Sequence, residues 1–241
     1  MSSLINRIVV VTGASSGIGK AIALGLAYEG AKVCLVGRSP EKLHTVASCA
    51  KQFSENISTY KTDLGIDEEI NTLTVSLQKA FGGIDILIHS AGVISVGRTD
   101  QASMEDFDRQ YRINVRAAYL LTQAFLPALK IRCGQIVFIN SSAGLTARAG
   151  VGQYAATKHA LKAIADSLRE EVNANGVRVL SVYPGRTATP MQEAVHATEN
   201  KVYQPEHLMQ PEDVASVVIN LLNLPRTAEV TDISVRPLKK L

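Results

Sequence analysis

A tyrosine and a lysine four residues apart, with a serine upstream of them, could carry out acid–base chemistry. Tyr154 and Lys158 share one face of a helix if this segment is helical. A free tyrosine hydroxyl has a pKa near ~10, and a lysine ammonium one turn away favours the phenolate and lowers that pKa. Ser141, 13 residues before Tyr154, could hold a carbonyl or hydroxyl oxygen against the phenol. These residues predict proton transfer at an alcohol carbon, although an exposed Tyr–Lys pair without a function would have the same spacing.

A glycine-rich turn near the N-terminus could bind phosphate. Residues 12–19 read T-G-A-S-S-G-I-G and lie between the first predicted strand and the first predicted helix. Glycines at this place let backbone N–H groups approach a pyrophosphate at a helix N-terminus, where the helix dipole favours anions. The spacing G-x-x-x-G-x-G differs from the common G-x-G-x-x-G dinucleotide fingerprint. Tight packing between strand and helix is the alternative explanation for these glycines.

Short apolar runs alternate with helical patterns along the whole chain. The predicted strands are residues 7–12, 32–37, 57–61, 84–89, 135–140, 177–183 and 232–235. The predicted helices are residues 17–28, 40–53, 67–81, 103–130 with a break near Val115, 153–173 and 210–222. Strands that alternate with helices indicate βαβ crossovers and a parallel sheet. Continuous Val/Ile/Leu strands indicate that both faces of the sheet are covered.

The pattern predicts an α/β fold: a doubly wound parallel sheet of about seven strands with helices on both faces. The 241 residues fit one such domain, and no linker or repeat interrupts residues 1–241. Residues 186–209 are polar and lack a strong periodicity. Long loops of this kind are often lids over sites. We therefore expect a mobile substrate lid here, with a pair of short packed helices as the competing interpretation.

Composition excludes several classes of function. The net charge of +3 is too small to indicate a nucleic-acid or membrane-surface partner. No 18-residue apolar run predicts a membrane span, and the first residues lack the hydrophobic region of a signal peptide. Cys34, Cys49 and Cys133 lack metal-ligand spacing, so we expect reduced thiols in a cytoplasmic protein and no metal site.

Taken together, the motifs resemble those of the short-chain dehydrogenase/reductase family, in its single-domain branch of about this length. The resemblance covers essentially the whole chain. The matching positions are the glycine turn at 12–19, the acidic-apolar pair Asp63-Leu64, the helix asparagine Asn114, the set Ser141, Tyr154 and Lys158, and the P-G-x-x-x-T of residues 184–189. This resemblance implies a single-domain Rossmann fold. It also implies a nicotinamide-dependent oxidoreductase that acts on the carbonyl or secondary alcohol of a small molecule.

The resemblance also implies a role for each catalytic residue. Tyr154 would be the general acid/base, and Ser141 would position the substrate oxygen, with Ser142 as the adjacent alternative. Lys158 would lower the pKa of Tyr154 and hold the nicotinamide ribose. Asn114 would hold a water that links Lys158 to solvent. A buried asparagine that bonds backbone at a helix bend is the alternative interpretation of Asn114.

The cofactor-binding positions follow from the same resemblance. They are Gly13, Ser15, Ser16, Gly17, Ile18, Gly19, Arg38, Asp63, Leu64, Ser90, Ala91, Gly92, Tyr154, Lys158, Pro184, Gly185, Thr187 and Thr189. Thr189 and the backbone after Gly185 would hold the carboxamide. One departure is plain: the family usually has N-N-A-G after the fourth strand, and this chain has H-S-A-G at 89–92. His89 is either an extra proton carrier or a structural replacement for asparagine.

The end of the second strand favours NADP(H) over NAD(H). NAD-specific relatives carry an acidic residue there, which holds the ribose 2′-hydroxyl. This chain has Gly37-Arg38-Ser39 and no carboxylate. Arginine binds a 2′-phosphate through a charge-assisted fork, although Arg38 could instead be solvated at a loop. The basic residue that the family often has in the glycine turn is absent, because Ser15 and Ser16 stand there.

Three questions stay open from the sequence. The chain could be an NADP-binding sensor on the same fold, although such proteins commonly lose the catalytic tyrosine or lysine. Arg148 and Arg186 could meet an anionic substrate group or could be solvated. Relatives of this size pair through the two helices predicted at 103–130 and 153–173, so we expect a homotetramer or homodimer. The small residues that would allow close helix packing are Ala117, Ala118, Ala124, Ala160 and Ala163.

Overall fold

Seven apolar segments pair into one parallel sheet in the structure, a computed structural model that describes residues 3–239. The strands are β1 (Ile8–Thr12), β2 (Lys32–Gly37), β3 (Ile57–Lys61), β4 (Ile86–His89), β5 (Gln135–Ile139), β6 (Arg178–Pro184) and β7 (Asp232–Val235). Their order in the sheet is β3-β2-β1-β4-β5-β6-β7, and every neighbouring pair is parallel. The predicted doubly wound sheet is confirmed.

Helices connect the strands and cover both faces of the sheet. Within the described residues they are α1 (Gly17–Tyr28), α2 (Pro40–Ala50), α3 (Asp67–Phe81), α4 (Met104–Tyr111), α5 (Ala117–Ile131), α6 (Gly152–Val172), α7 (Pro190–Thr198) and α8 (Pro211–Leu222). Side chains alternate along a strand, so Val9 and Val11 of β1 face one layer and Val10 faces the other. The first layer packs against α1, α2 and α8, and the second against α3, α5 and α6. This two-sided burial explains why the strands are apolar at successive positions.

The predicted break near Val115 is a short π-helical segment. Residues Arg112–Arg116 connect α4 to α5 in this form. Its buried member Asn114 bonds the backbone of Val93, both as donor and as acceptor. The wider turn therefore presents a polar side chain to the loop that follows β4, in a helix that is otherwise continuous. Such π-helical insertions are frequent at functional sites.

Residues 186–209 are more regular than the sequence suggested. The segment contains α7, whose N-terminus is capped by the Thr189 hydroxyl and begins with Pro190. Thr187 and Met209 form a parallel bridge at its base. A short 3₁₀ turn follows at Pro205–His207, so the segment agrees with the competing interpretation of two short helices, and its action as a lid stays a prediction. The Thr-Pro pair at 189–190 was the overlooked helix-start signal. Among residues 3–239, no helix is long and apolar enough to cross a membrane, and no three metal-ligating side chains form a cluster.

Candidate active site

A cavity of about 650 Å³ opens at the carboxyl ends of the strands. Ligands of open parallel sheets bind at this edge, because the loops after the strands converge there. The sequence-predicted residues that line it are Gly13, Ser15, Ser16, Gly17, Ile18, Gly19, Arg38, Asp63, Leu64, Ser90, Ala91, Gly92, Ser141, Tyr154, Lys158, Pro184, Gly185, Thr187 and Thr189. Asn114 is the one predicted site residue that does not line this cavity.

The glycine turn forms a cradle that side chains would fill. Gly13 has φ +67°, and a Cβ there would lie 2.8 Å from the Cα of Ala91. A Cβ on Gly19 would lie 2.4 Å from the carbonyl oxygen of Gly13. Ser16 precedes α1 without a side-chain cap hydrogen bond, so the first N–H groups of the helix are available to a ligand. The turn therefore fits a phosphate group bound by backbone amides.

Thr12 holds the turn that follows β4 next to this cradle. Its hydroxyl oxygen accepts hydrogen bonds from the backbone N–H groups of Ser90 and Ala91, each at 3.1 Å. The hydroxyl donates to the carbonyl of Ile88 at 3.3 Å. These bonds join the ends of two neighbouring strands, and they fix the two loops that line the cavity on this side.

The end of β2 presents an arginine without a partner among the described residues. Arg38 is exposed and lines the cavity. Ser39, the expected N-cap, accepts from the N–H of Lys42 and donates to a carboxylate oxygen of Glu41 at 2.9 Å. Because the Ser39 hydroxyl is engaged in the cap, Arg38 is the group at this strand end that remains available to an anion. One oxygen of Asp63 accepts from the N–H of Gly65 at 2.8 Å.

Tyr154 and Lys158 lie one turn apart on α6 and are both buried. The Lys158 Nζ lies 5.8 Å from the Tyr154 ring centroid and donates to the carbonyl of Ile139 at 3.1 Å. Burial lowers the pKa of Lys158 to about 8. Burial raises the pKa of Tyr154 to about 12, against the lowering effect of a hydrogen bond with Ser141. Desolvation of the phenolate thus outweighs the effect of Ser141, and the lowering of the Tyr154 pKa by Lys158 stays a prediction.

The serine beside the phenol is Ser141 rather than Ser142. Ser141 caps a 3₁₀ turn over Ser142–Gly144 by accepting from the N–H of Ala143 at 3.1 Å. Its hydroxyl hydrogen remains free to donate to the Tyr154 oxygen. Ser142 also lines the cavity but is exposed. The arrangement places a second hydroxyl donor next to the phenol, where a substrate oxygen could be held by both.

Asn114 lies against Thr157, the residue of α6 that directly precedes Lys158. Its amide donates to the carbonyl of Val93 at 2.9 Å and to the Thr157 hydroxyl at 3.1 Å, and its oxygen accepts from the N–H of Val93 at 2.8 Å. These contacts match the alternative interpretation, a buried asparagine at a helix bend. It borders a second cavity of about 10 Å³, which is close to the space that one water needs.

His89 borders that small cavity and does not line the large one. Its Nε2 lies 2.9 Å from the Thr122 hydroxyl, and its ring stacks on Phe138 with centroids 4.9 Å apart. Burial lowers the pKa of His89 to about 3, so the ring is neutral at physiological pH. These observations favour the structural interpretation of His89 over an extra proton carrier.

The two arginines that could meet an anion differ in their surroundings. Arg186 forms a salt bridge with Glu199 at 2.9 Å, so its charge is compensated within segment 186–209. Arg148 is exposed at the cavity and has no partner among the described residues. Thr189 caps α7 through Gln192, and its methyl group would lie 3.0 Å from a Cβ on Gly17. Segment 186–209 therefore lies directly against the glycine turn.

Sequence reasoning missed Asn140 and Glu199, which both line the cavity. Asn140 stands between β5 and Ser141, is 4% exposed, and donates to the backbone carbonyl of Lys158 at 3.1 Å. The sequence could have indicated Asn140, because it is a polar residue at the carboxyl end of a predicted central strand. Glu199 is the C-cap of α7, a helix that the hydrophobic periodicity of the sequence did not reveal.

A doubly wound sheet with a phosphate cradle and a Ser–Tyr–Lys set around one cavity is the arrangement of a nucleotide-dependent oxidoreductase. The family model described as short chain dehydrogenase matches residues 7–200. The chain belongs to this family, and the resemblance drawn from its motifs is confirmed.

Relatives of similar length agree with this assignment. The chain is 35% identical over 238 residues to an uncharacterized oxidoreductase of Staphylococcus aureus strain USA300, which covers 98% of this chain and 100% of that one. The structure of L-sorbose reductase from Gluconobacter frateurii, complexed with NADPH and L-sorbose, has a TM-score of 0.89 at 28% identity and covers 99% of this chain and 98% of that chain. An alcohol dehydrogenase from Thermococcus sibiricus, complexed with 5-hydroxy-NADP, has a TM-score of 0.88 at 26% identity over 98% of each chain.

Proposed function

We propose that the protein is an NADP(H)-dependent oxidoreductase that interconverts a small-molecule carbonyl and a secondary alcohol, with Tyr154 as the general acid/base. One observation carries the proposal: Ser141, Tyr154 and Lys158 share one cavity with the glycine cradle. The two solved structures named above contain NADPH and an NADP derivative, which supports the choice of cofactor.

The cavity residues fit that cofactor. The amides of the glycine turn at 13–19 would hold the pyrophosphate, and Arg38 would hold the 2′-phosphate with its guanidinium. Asp63 and Leu64 would flank the adenine, and residues 90–92 would lie along the cofactor. Thr187, Thr189 and the backbone at 184–185 would hold the carboxamide. When bound, the nicotinamide supplies a hydride to a carbonyl carbon or takes one from an alcohol carbon.

The protein's own residues manage the proton and the orientation of the substrate. Tyr154 keeps its proton through the physiological pH range, because burial raises its pKa to about 12. It is therefore ready to donate to a carbonyl oxygen as negative charge develops there. Ser141 would bind the same oxygen and fix its distance from the phenol. Lys158 would bind the ribose hydroxyls and stabilise the phenolate that proton donation leaves behind.

Two further properties belong to this proposal. Residues 186–209 would act as a lid, since α7 lies over the cavity and Thr189 contacts the glycine turn. The protein would work in the cytoplasm, where its free thiols at Cys34, Cys49 and Cys133 would stay reduced.

A panel of ketones, aldehydes, sugars and keto acids, with NADPH or NADH as reductant, tests the proposal. Loss of the reduced-nicotinamide absorbance that depends on one carbonyl compound, faster with NADPH, is the expected result. Including a keto acid and its ester also decides whether the unpartnered Arg148 favours an anionic substrate. Tight NADPH binding without turnover of any compound would favour the alternative, an NADP-binding sensor.

A further inference from the structure

We propose that Asn140 is a positioning residue that fixes the helix carrying Tyr154 and Lys158 against the end of β5. The inference rests on the proposed function, and it concerns a residue outside the Ser–Tyr–Lys set. Asn140 is nine-tenths buried and directly precedes Ser141.

Three consecutive residues at the end of β5 hold the catalytic pair. The carbonyl of Ile139 accepts from the Lys158 Nζ at 3.1 Å. The side-chain amide of Asn140 donates to the backbone carbonyl of Lys158 at 3.1 Å. Ser141 hydrogen-bonds to Tyr154. Lys158 is thus held at both ends, at its ammonium and at its backbone, by neighbouring residues of one strand end.

The end of β5 is itself held in place, so a contact with it can fix the position of α6. The backbone N–H of Asn140 donates to the carbonyl of Val182 in β6 at 2.8 Å. The contact with Lys158 needs a donor, so the Nδ2 of the amide must face that carbonyl. The carbonyl lies inside α6 and does not depend on Asn140 to be paired within its helix. The hydrogen bond from Asn140 is therefore not needed to form α6. Its effect is to fix where α6 lies relative to β5.

The geometry around the amide is costly for stability, which argues against a purely structural role. The Asn140 Oδ1 is buried without a hydrogen-bond partner among the described residues. A buried acceptor without a partner destabilises a protein, and such exceptions are expected at functional sites.

Gly144 provides the space that this contact requires. A Cβ on Gly144 would lie 2.5 Å from the Asn140 Oδ1 and 2.9 Å from the Lys158 carbonyl oxygen. A side chain at 144 would therefore push the strand end and the helix apart. This explains why residue 144, three positions after Ser141, is a glycine.

Asn140→Leu tests the proposal, because leucine has a similar size and neither donor nor acceptor. We expect Tm to be unchanged or higher, since the unpaired Oδ1 is removed. We expect kcat to fall on the order of ten- to a hundredfold, with the cofactor KM changed by less than about threefold, because misplaced reacting groups slow the chemical step. The rising limb of the pH profile for alcohol oxidation should move to higher pH, because a displaced ammonium stabilises the phenolate less.

Gln135→Leu is the matched control. Gln135 stands at the other end of β5, donates its side-chain amide to the carbonyl of Leu222 in a helix, and lies outside the cavity. Its loss should leave kcat and the pH profile unchanged. Asn140→Ala serves as a second variant in case leucine disturbs the turn at Gly144. An Asn140 variant that folds and binds NADPH but keeps wild-type kcat and pH profile would overturn the proposal.

A readout without turnover separates this proposal from the proposed function. The pKa of Lys158 can be followed by NMR of ¹³C-labelled lysine, with Lys158→Met to assign the signal. In Asn140→Leu this pKa should rise from about 8 towards its ordinary value, because the ammonium gains access to water. If wild-type protein reduces no carbonyl compound, the proposed function fails while this measurement still decides the role of Asn140. An unchanged Lys158 pKa in both Asn140 variants would refute the positioning role.

Discussion

The ammonium of Lys158 lies 5.8 Å from the ring centroid of Tyr154 and is bonded to a strand carbonyl rather than to the phenol oxygen. We therefore expect any effect of the lysine on the phenol to act through space and to depend on how firmly the ammonium is held. Burial lowers the pKa of the lysine to about 8 and raises that of the phenol to about 12, so near neutral pH the lysine is charged and the phenol is protonated. This charge balance suits proton donation by the phenol, which is the step that carbonyl reduction needs.

Tyr154→Phe should abolish nearly all turnover while the fold and cofactor binding persist. The ring still packs in its buried place, but the proton donor is gone, and a general acid contributes about 10²–10⁴-fold to the rate. The measurement is kcat for carbonyl reduction alongside NADPH titration by fluorescence. Tyr28→Phe, an exposed tyrosine outside the cavity, is the control. Near wild-type turnover in Tyr154→Phe would show that another group donates the proton.

Carbonyl reduction should be fastest below about pH 8 and should decline above it. Lys158 has a lowered pKa of about 8, so it is charged below that pH and loses its proton as the pH rises through it. Tyr154 remains protonated across this window, since its pKa is raised to about 12. The decline therefore follows the lysine and not the phenol. A kcat/KM profile for reduction that stays flat from pH 7 to about pH 10, around the lysine pKa of about 8, would contradict this assignment.

Arg38→Asp should weaken NADPH binding and improve the relative use of NADH. A hydrogen bond to a charged group contributes about 1.5–3 kcal/mol, which corresponds to about ten- to a hundredfold in Kd. Lys51→Asp makes the same change of net charge at the exposed end of α2, away from the cavity. Fluorescence titration with both cofactors measures the effect. Equal NADPH affinity in wild type and Arg38→Asp would rule out a 2′-phosphate contact.

The protein should assemble as a homodimer or homotetramer through α5 and α6. Of the alanines on these helices, Ala117 and Ala118 are buried against the sheet, so they cannot contribute to an interface. Ala124 and Ala163 are exposed and would allow close helix packing. Ala163→Arg should therefore dissociate the assembly, while Ala80→Arg on the exposed end of α3 should leave it intact. Light scattering at micromolar concentration gives the mass, and a wild-type mass of 25.9 kDa would mean a monomer.

Cofactor should order the first part of the lid segment. Thr189 lies against the glycine turn and begins α7, so contact with the carboxamide would tie the start of the helix to the ligand. Hydrogen exchange across 186–209 with and without NADPH measures this, with α3 as an internal reference. If protection from hydrogen exchange is the same with and without NADPH, the prediction is wrong and α7 is a helix that stays packed in both states.

Much of the fold could be predicted because its signals are local. Buried parallel strands read as continuous apolar runs, and α1, α3 and β2 lie where the sequence places them. Helix α7 was missed because it is short and its periodicity is weak, so that only its Thr-Pro start marks it. Helix ends differed by one to three residues where no glycine or capping residue marks the boundary, as at the end of α2.

The candidate site was predictable only in part, and for a physical reason. Residues such as Tyr154 and Gly13 occur at fixed spacings that their chemistry requires. The pKa of Tyr154 instead depends on burial, which is a property of the folded environment and not of the Tyr–Lys spacing. The contact between Asn140 and the Lys158 backbone joins residues 18 apart and follows no motif.

The parallel bridge between Thr187 and Met209 brings the two ends of segment 188–208 together. The segment could therefore be exchanged as one unit. Backbone hydrogen bonds close its two ends against each other, from Ala188 to the Met209 carbonyl at 2.8 Å and from Met209 to the Arg186 carbonyl at 3.3 Å. Arg186, just before this segment, also forms a salt bridge with Glu199 at the end of α7. A chimera that carries another family member's segment between these two anchors would keep the sheet and the Ser–Tyr–Lys set unchanged. The wall of the cavity could thus diversify, with Thr189 as the one proposed cofactor contact that a replacement segment has to keep.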